Sequence, residues 1–414
     1  MPVRLLRYFA LASLLLLAGC TSGGSGAPDP PSSEDIISSP QGRGGSSETV
    51  VPSHSEERES FALSLPRRGI FVATIRWGLT TLGVFDIANR ALAPVATRET
   101  GELLISGSRD RLAYLVREGP NPRKNFVEVI DLRRRKSLAV KPASDFAILG
   151  FTLNPSGDRL SYAAMNLRKS RSHHVTWRAG LADLERYETR LSLESGPDKV
   201  LEEGIPVPFG WSRRREEIFF QIKLPLRGMV KQGIWAMKPD GSSWRQILPE
   251  ASYTGVPRLS PDGASLAYFA TSQELLPQGY IPAPGEPPAN VLTVMNLMTG
   301  DKSVWTQKSG TAFGAFAWSP SGKEILVSEQ EWSEGRFHDG GLLRVAKDKT
   351  QAVVGIGRSS PFVKVTDVLV CGDGSVFWVE ELGAGARLRA MAARIPATLL
   401  THPDGKIHLF SCLE

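Results

Sequence analysis

Chemistry needs side chains that can ligate, attack or move protons, and in this chain of 414 residues the candidates are scattered. His173 and His174 are adjacent, so on a strand they point to opposite faces and could hardly share a metal. His338-Asp339 is a pair without an obvious third ligand. Asp262, Asp373 and Asp404 each precede a glycine, but the alternating acidic loop of a calcium site is missing and turn chemistry accounts for an Asp-Gly pair. No paired carboxylates, Ser-His-Asp set or phosphate-cradling glycine loop stands out. No catalytic residue, metal ligand or cofactor is therefore assigned.

Charge carries more. Arg117, Arg123, Lys124, Arg168, Lys169, Arg171, Lys223, Arg227 and Lys231 crowd into segments 117–125, 166–174 and 223–232, where Glu118 is the single acid. Two further segments, 272–290 and 331–341, hold Tyr280, Trp332, Arg336 and Phe337, and the first is stiffened by Pro277, Pro282, Pro284, Pro287 and Pro288. If these segments share a face, it suits an anionic partner: an acidic polysaccharide, a phosphate-bearing wall polymer or an acidic patch on an envelope protein. Two plainer readings stay open. Lys and Arg live in solvated loops without a partner, and a loop Trp or Phe often packs down on its own sheet. The formal charge of the whole chain is only +6, falling to +4 if Arg4 and Arg7 are removed with a leader, which is no nucleic-acid signature.

What would position these segments is a repeat. In residues 258–270, RLSPDGASLAYFA, an approach strand meets a turn at Ser260-Pro261-Asp262-Gly263 and continues as an apolar strand, Leu266-Ala267-Tyr268-Phe269. Pro presets φ, Asp bonds the local backbone and Gly supplies positive φ, which makes a hairpin. Relatives of this unit lie at 103–118, 151–165, 209–222, 316–329 and 368–381, about 45 to 58 residues apart, the period of propeller blades. After each comes a second apolar strand, as at 126–135, 178–190, 233–243 and 291–301, and a short fourth such as 244–248 or 303–306. Four antiparallel strands repeated radially make an all-β fold, a single β-propeller.

The blade count follows from the ends. Residues 69–97 have the strands of a blade without its first, and 402–414 is an orphan strand. Joining them closes the ring and removes its free edges, giving seven blades over 67–414; six is the alternative, and a solenoid lacks capping repeats here. In such a ring the connections between second and third strands open on one face and the Ser-Pro-Asp-Gly turns on the other. The five segments above then share the first face.

The repeat resembles that of TolB-like propellers, carried by Leu259-Ser260-Pro261-Asp262-Gly263 with Leu266-Ala267-Tyr268, and by Trp318-Ser319-Pro320-Ser321-Gly322 with Ile325-Leu326-Val327. The related propellers of prolyl oligopeptidases accompany a hydrolase domain with a G-x-S-x-G elbow, which is absent here, as is TolB's extra α/β domain. The resemblance implies fold more than function.

Residues 1–19 read as a signal peptide: a basic start, an apolar run and Leu17-Ala18-Gly19 before Cys20. This resembles a bacterial lipobox, which implies lipidation of Cys20 and an exported chain anchored to a membrane; an ordinary secretory signal with a chance Cys is the alternative. Residues 20–66, rich in Ser, Gly and Pro, read as a disordered tether with an end-to-end distance of roughly 35 Å. Cys371 and Cys412 remain, and an oxidising compartment favours a disulfide between them over two free thiols. The expected protein is thus a monomeric, lipid-anchored binding scaffold for an envelope protein or anionic polysaccharide. The rival is a propeller enzyme acting at the central channel, and convergent acids or a His there would favour it.

Overall fold

Strands buried on both faces need neighbours on both sides, and the structure supplies them by closing a ring. The computed structural model describes residues 48–52, 68–99, 105–108, 111–117, 125–134, 136–143, 145–166, 176–194, 204–224, 230–249, 253–281, 288–355, 363–392 and 395–413. Blade 1 is Lys406–Leu413, Gly69–Arg76, Leu79–Asp86 and Ala91–Glu99, so the C-terminal strand supplies its first member. Blade 2 is Ile105–Ser108, Arg111–Arg117, Asn125–Asp131 and Lys136–Lys141; blade 3 is Phe146–Leu153, Arg159–Asn166, Trp177–Asp183 and Glu188–Glu194. Blade 4 is Ile205–Ser212, Glu217–Leu224, Val230–Met237 and Arg245–Leu248; blade 5 is Thr254–Leu259, Ser265–Ala270, Val291–Asn296 and Lys302–Gln307. Blade 6 is Thr311–Trp318, Glu324–Ser333, Arg336–Ala346 and Lys349–Gly355, and blade 7 is Val363–Val370, Val376–Leu382, Gly385–Ala392 and Ile395–His402. The fold is the expected seven-bladed β-propeller closed by the C-terminal strand, and all pairing within blades is antiparallel.

The core is a set of apolar layers between neighbouring blades. Phe71, Val84, Leu112 and Tyr114 fill the layer between blades 1 and 2, and Phe269, Leu292, Phe313 and Ile325 that between 5 and 6. Ile70, Phe85, Phe377 and Leu388 join blade 7 back to blade 1. The first strands of neighbouring blades adjoin one another, which makes them the innermost; the fourth strands lie outermost and alternate toward solvent, as Lys302–Gln307 does.

The Ser-Pro-Asp-Gly turn behaves as its chemistry dictates. Gly263 N donates to Ser260 O at 2.8 Å, Ser260 Oγ donates to Asp262 Oδ1 at 2.6 Å, and Gly263 takes φ +70°. Ser212 of blade 4 donates its Oγ hydrogen to Gly263 O at 2.8 Å, tying one blade's turn to the next. The same closure recurs at Gly157 N to Asn154 O, Gly322 N to Ser319 O and Gly374 N to Cys371 O.

Two expectations need correction. Thr49–Pro52, inside the stretch read as tether, forms a fifth strand on blade 2, paired antiparallel with Lys136–Lys141. Its Thr-Val-Val run suits an edge, and it covers the outer strand's unpaired backbone groups. Segment 331–341, read as a loop, is mostly hairpin: Ser333 pairs with Arg336 around a two-residue turn in which Glu334 and Gly335 both have positive φ. Residues 1–45, including Cys20, lie outside the described residues, as does most of the tether.

Candidate binding face and central channel

The connections between second and third strands emerge on one face, and there blades 5 and 6 build an aromatic cluster. Tyr280 comes from the long connection of blade 5, which opens with a single 3-10 turn at Gln273–Leu275. Its base is pinned rather than free. The fully buried Asn290 accepts from Ser272 N at 2.7 Å and donates to Ser272 O at 2.8 Å, and Thr271 Oγ1 donates to Pro288 O at 3.0 Å. Gly310 N donates to Leu275 O at 3.0 Å, and Trp332 N to Gly310 O at 2.9 Å, which stitches the connection to blade 6.

Trp332 and Phe337 face each other across the blade 6 hairpin, ring centroids 5.0 Å apart, and Tyr280 lies 5.7 Å from the first and 6.2 Å from the second. All three rings are half-buried. Exposed Arg336 sits at the hairpin tip and donates from Nε to His338 Nε2 at 3.3 Å. Ile281, beside Tyr280, is 83% exposed. Such a group offers ring faces for stacking with a guanidinium beside them.

The basic residues fare unevenly. Arg117 ends the second strand of blade 2, exposed and paired with Asn125. Lys223 and Lys231 belong to strands of blade 4 and pair with each other in register, so they are strand rather than loop residues. Arg123, Lys124, Arg168, Lys169, Arg171, Arg227, His173 and His174 lie outside the described residues. Trp77, 81% exposed in the corresponding turn of blade 1, carries Arg76 over its ring at 4.1 Å; sequence reasoning missed it, although a Trp-Gly pair between two strands was a signal. Turn chemistry occupies the Asp-Gly aspartates: Asp262 accepts from Ala264 N at 3.1 Å, Asp373 from Ser375 N at 2.8 Å, and Asp404 pairs with Arg76 at 3.4 Å.

Cys371 and Cys412 are disulfide-bonded, Cα atoms 5.6 Å apart, joining blade 7 to the innermost strand of blade 1.

The centre of the ring holds charges that the sequence reading did not single out. Arg258, on the innermost strand of blade 5, is surrounded by protein at long range and open to water at short range, as a channel-lining residue is. Its guanidinium carbon lies 5.5 Å over the ring of Phe316, on blade 6's innermost strand. Trp318 Nε1 donates to Arg258 O at 3.1 Å and holds that backbone. Asp367 on blade 7 is bonded to Nδ1 of His408 on blade 1 at 2.9 Å, and both are partly buried. Burial pushes the Arg258 pKa down, and the charge of Asp367 works against that shift. The first strands bulge just before Arg258 and Asp367, which re-aims the residues that follow. Among the described residues no three His, Cys, Asp or Glu gather closely enough to hold a metal ion.

No family model and no curated protein matches this chain. Among solved structures it is similar to an oligogalacturonate lyase in complex with manganese, at 13% identity and a TM-score of 0.51 over 75% of this chain and 81% of that one. It is similar to a prolyl endopeptidase at 11% identity and a TM-score of 0.51, covering 72% of this chain but 42% of the peptidase. TolB from Acinetobacter baumannii matches at 13% identity and a TM-score of 0.43 over 82% of each chain. At such identities the likeness to the lyase and the peptidase is one of fold, and the fold is the β-propeller.

Proposed function

We propose that this chain is an exported, lipid-anchored β-propeller that binds an anionic partner in the cell envelope through the face carrying Tyr280, Trp332, Arg336 and Phe337. The observation that carries the reading is the convergence of three aromatic rings and an exposed arginine from two blades onto one pinned platform. Arg117 adds charge on the same side. The sequence adds Arg123, Lys124, Arg168, Lys169, Arg171, Arg227 and Lys231. An acidic polysaccharide fits best, because sugar rings present apolar faces for stacking while their carboxylates or phosphates take the guanidinium. An acidic patch on an envelope protein would meet the same charges without using the rings as fully.

Export is supported by the signal-like start and by the Cys371–Cys412 bond, which persists in an oxidising compartment. Crosslinked-envelope pull-down with the full chain, beside a Cys20→Ala form, tests the anchor. The native chain should fractionate with membranes and the variant should not; an unacylated variant that still sediments with membranes contradicts it.

A second reading, an enzyme working in the channel, is favoured by one observation, the Asp367–His408 pair on innermost strands. Such a pair orients an imidazole for proton transfer. New polymer ends released by the wild-type protein and not by His408→Ala would establish that reading and displace the scaffold.

A further inference from the structure

Arg258, exposed on the innermost strand of blade 5, makes no ion pair with any described residue, and its guanidinium keeps its charge. The nearest opposing charge identified, Asp367, is already engaged by His408 Nδ1. The Arg258 guanidinium carbon lies 5.5 Å over the ring of Phe316, a cation–π contact that uses none of its N–H donors. With Nδ1 committed to Asp367, His408 has only Nε2 to offer, and no described residue takes it. Four successive blades thus contribute groups from their innermost strands: Arg258 from blade 5, Phe316 from blade 6, Asp367 from blade 7 and His408 from blade 1. A bulge precedes both Arg258 and Asp367.

We propose that the centre of the ring is a binding site for a small oxyanion, a carboxylate or phosphate group held by the Arg258 fork, with Nε2 of His408, whose Nδ1 hydrogen goes to Asp367, as an acceptor for a hydroxyl of the same ligand. This site is separate from the aromatic platform of blades 5 and 6 and does not depend on the partner proposed for it. A carboxylate matches the fork bidentately, whereas a phosphate is held by charge as much as by shape.

The test is calorimetric titration of the folded protein with glucuronate and with inorganic phosphate, using glucose as the neutral control. At least one anion should bind and glucose should not. Arg258→Gln should weaken the binding about 10- to 100-fold, the loss of hydrogen bonds to a charged group. Arg258→Lys, which keeps the charge without the fork, should lose glucuronate more than phosphate, and it stands in if the Gln variant does not fold. Trp332→Ala should leave the channel affinity unchanged. Absence of binding by both anions overturns the proposal, and so does equal affinity in the wild type and both Arg258 variants. Loss of polymer retention in Trp332→Ala with anion binding intact would separate the two sites.

Discussion

Cys371 and Cys412 bridge the last blade to the strand that completes the first, so a covalent bond fastens the closing strand to the blade before it. Backbone pairing of that strand, Lys406–Leu413, with Gly69–Arg76 closes the ring non-covalently.

The bridge should therefore be a stability element. A sequence separation of 41 residues corresponds to about 4 kcal/mol of loop-closure entropy removed from the unfolded chain. Denaturant unfolding with and without reductant should show a loss of about 2–4 kcal/mol in the wild type. Cys412→Ser should lose the same amount and no longer respond to reductant, and a wild type indifferent to reductant would contradict the prediction.

Glu380 on blade 7 is buried to 3% exposure, accepting from Trp378 Nε1 at 3.0 Å and pairing with Arg387 at 3.0 Å and Arg389 at 3.4 Å. Glu380→Gln keeps the shape and removes the charge that both guanidiniums answer. The expected cost is about 3 kcal/mol, at the low end for a broken buried pair because both arginines reach water. Equilibrium unfolding reads it directly.

Two glycines at similar φ separate backbone strain from contact. Gly263 has φ +70°, and an added Cβ would meet Ser212 Oγ at 2.6 Å; Gly300 has φ +79° with nothing within 4 Å. Gly300→Ala should cost about 1 kcal/mol, from conformation alone. Gly263→Ala should cost about 2–3 kcal/mol, since Ser212 must also move and its bond to Gly263 O weakens. Equal losses would mean that the blade 4 contact contributes nothing.

Glu48 fastens the N-terminal strand, accepting the Tyr162 hydroxyl hydrogen and lying 3.9 Å from Arg178. Burial, chiefly, raises its carboxyl pKa above 4.5; Tyr162 and Arg178 oppose the shift and Glu194 adds to it. The folded state therefore holds this proton more tightly than the unfolded one. Its stabilisation is fully present below 4.5 and is lost as pH rises through the raised folded value. Hydrogen exchange at Val50 and Val51 should show a strand better protected at mildly acidic pH than at neutral pH. Glu48→Gln should flatten that dependence, and greater protection at neutral pH would contradict it.

Most blades were readable because turn chemistry repeats: Ser260-Pro261-Asp262-Gly263 and its relatives ending at Gly157, Gly322 and Gly374 close the same turn with positive φ at the glycine. Closure was readable from an incomplete blade at each end. Tyr280, Trp332, Arg336 and Phe337 were readable as residues of one face, since topology alone puts those connections there. That the three rings touch depends on Asn290 and Gly310 pinning a connection whose path no local rule sets. The strand at Thr49–Pro52 was hidden by its Ser- and Gly-rich surroundings; four residues carry too little pattern until an open edge is known to lie beside them. Arg258, Asp367 and His408 were missed because they come from three repeats far apart in sequence and meet only when the ring is closed.

The central claim is that the platform of blades 5 and 6 binds an anionic envelope polymer, and retention on purified acidic cell-wall polysaccharide tests it most directly. Wild-type protein without the lipid should be retained at low salt and released as salt rises. Trp332→Ala with Arg336→Ala should abolish retention while leaving the unfolding midpoint in place, and Ala at Arg123, Lys124, Arg168 and Arg171 should weaken it and flatten the salt dependence. Retention that is unchanged in both sets of variants and indifferent to salt would contradict the account.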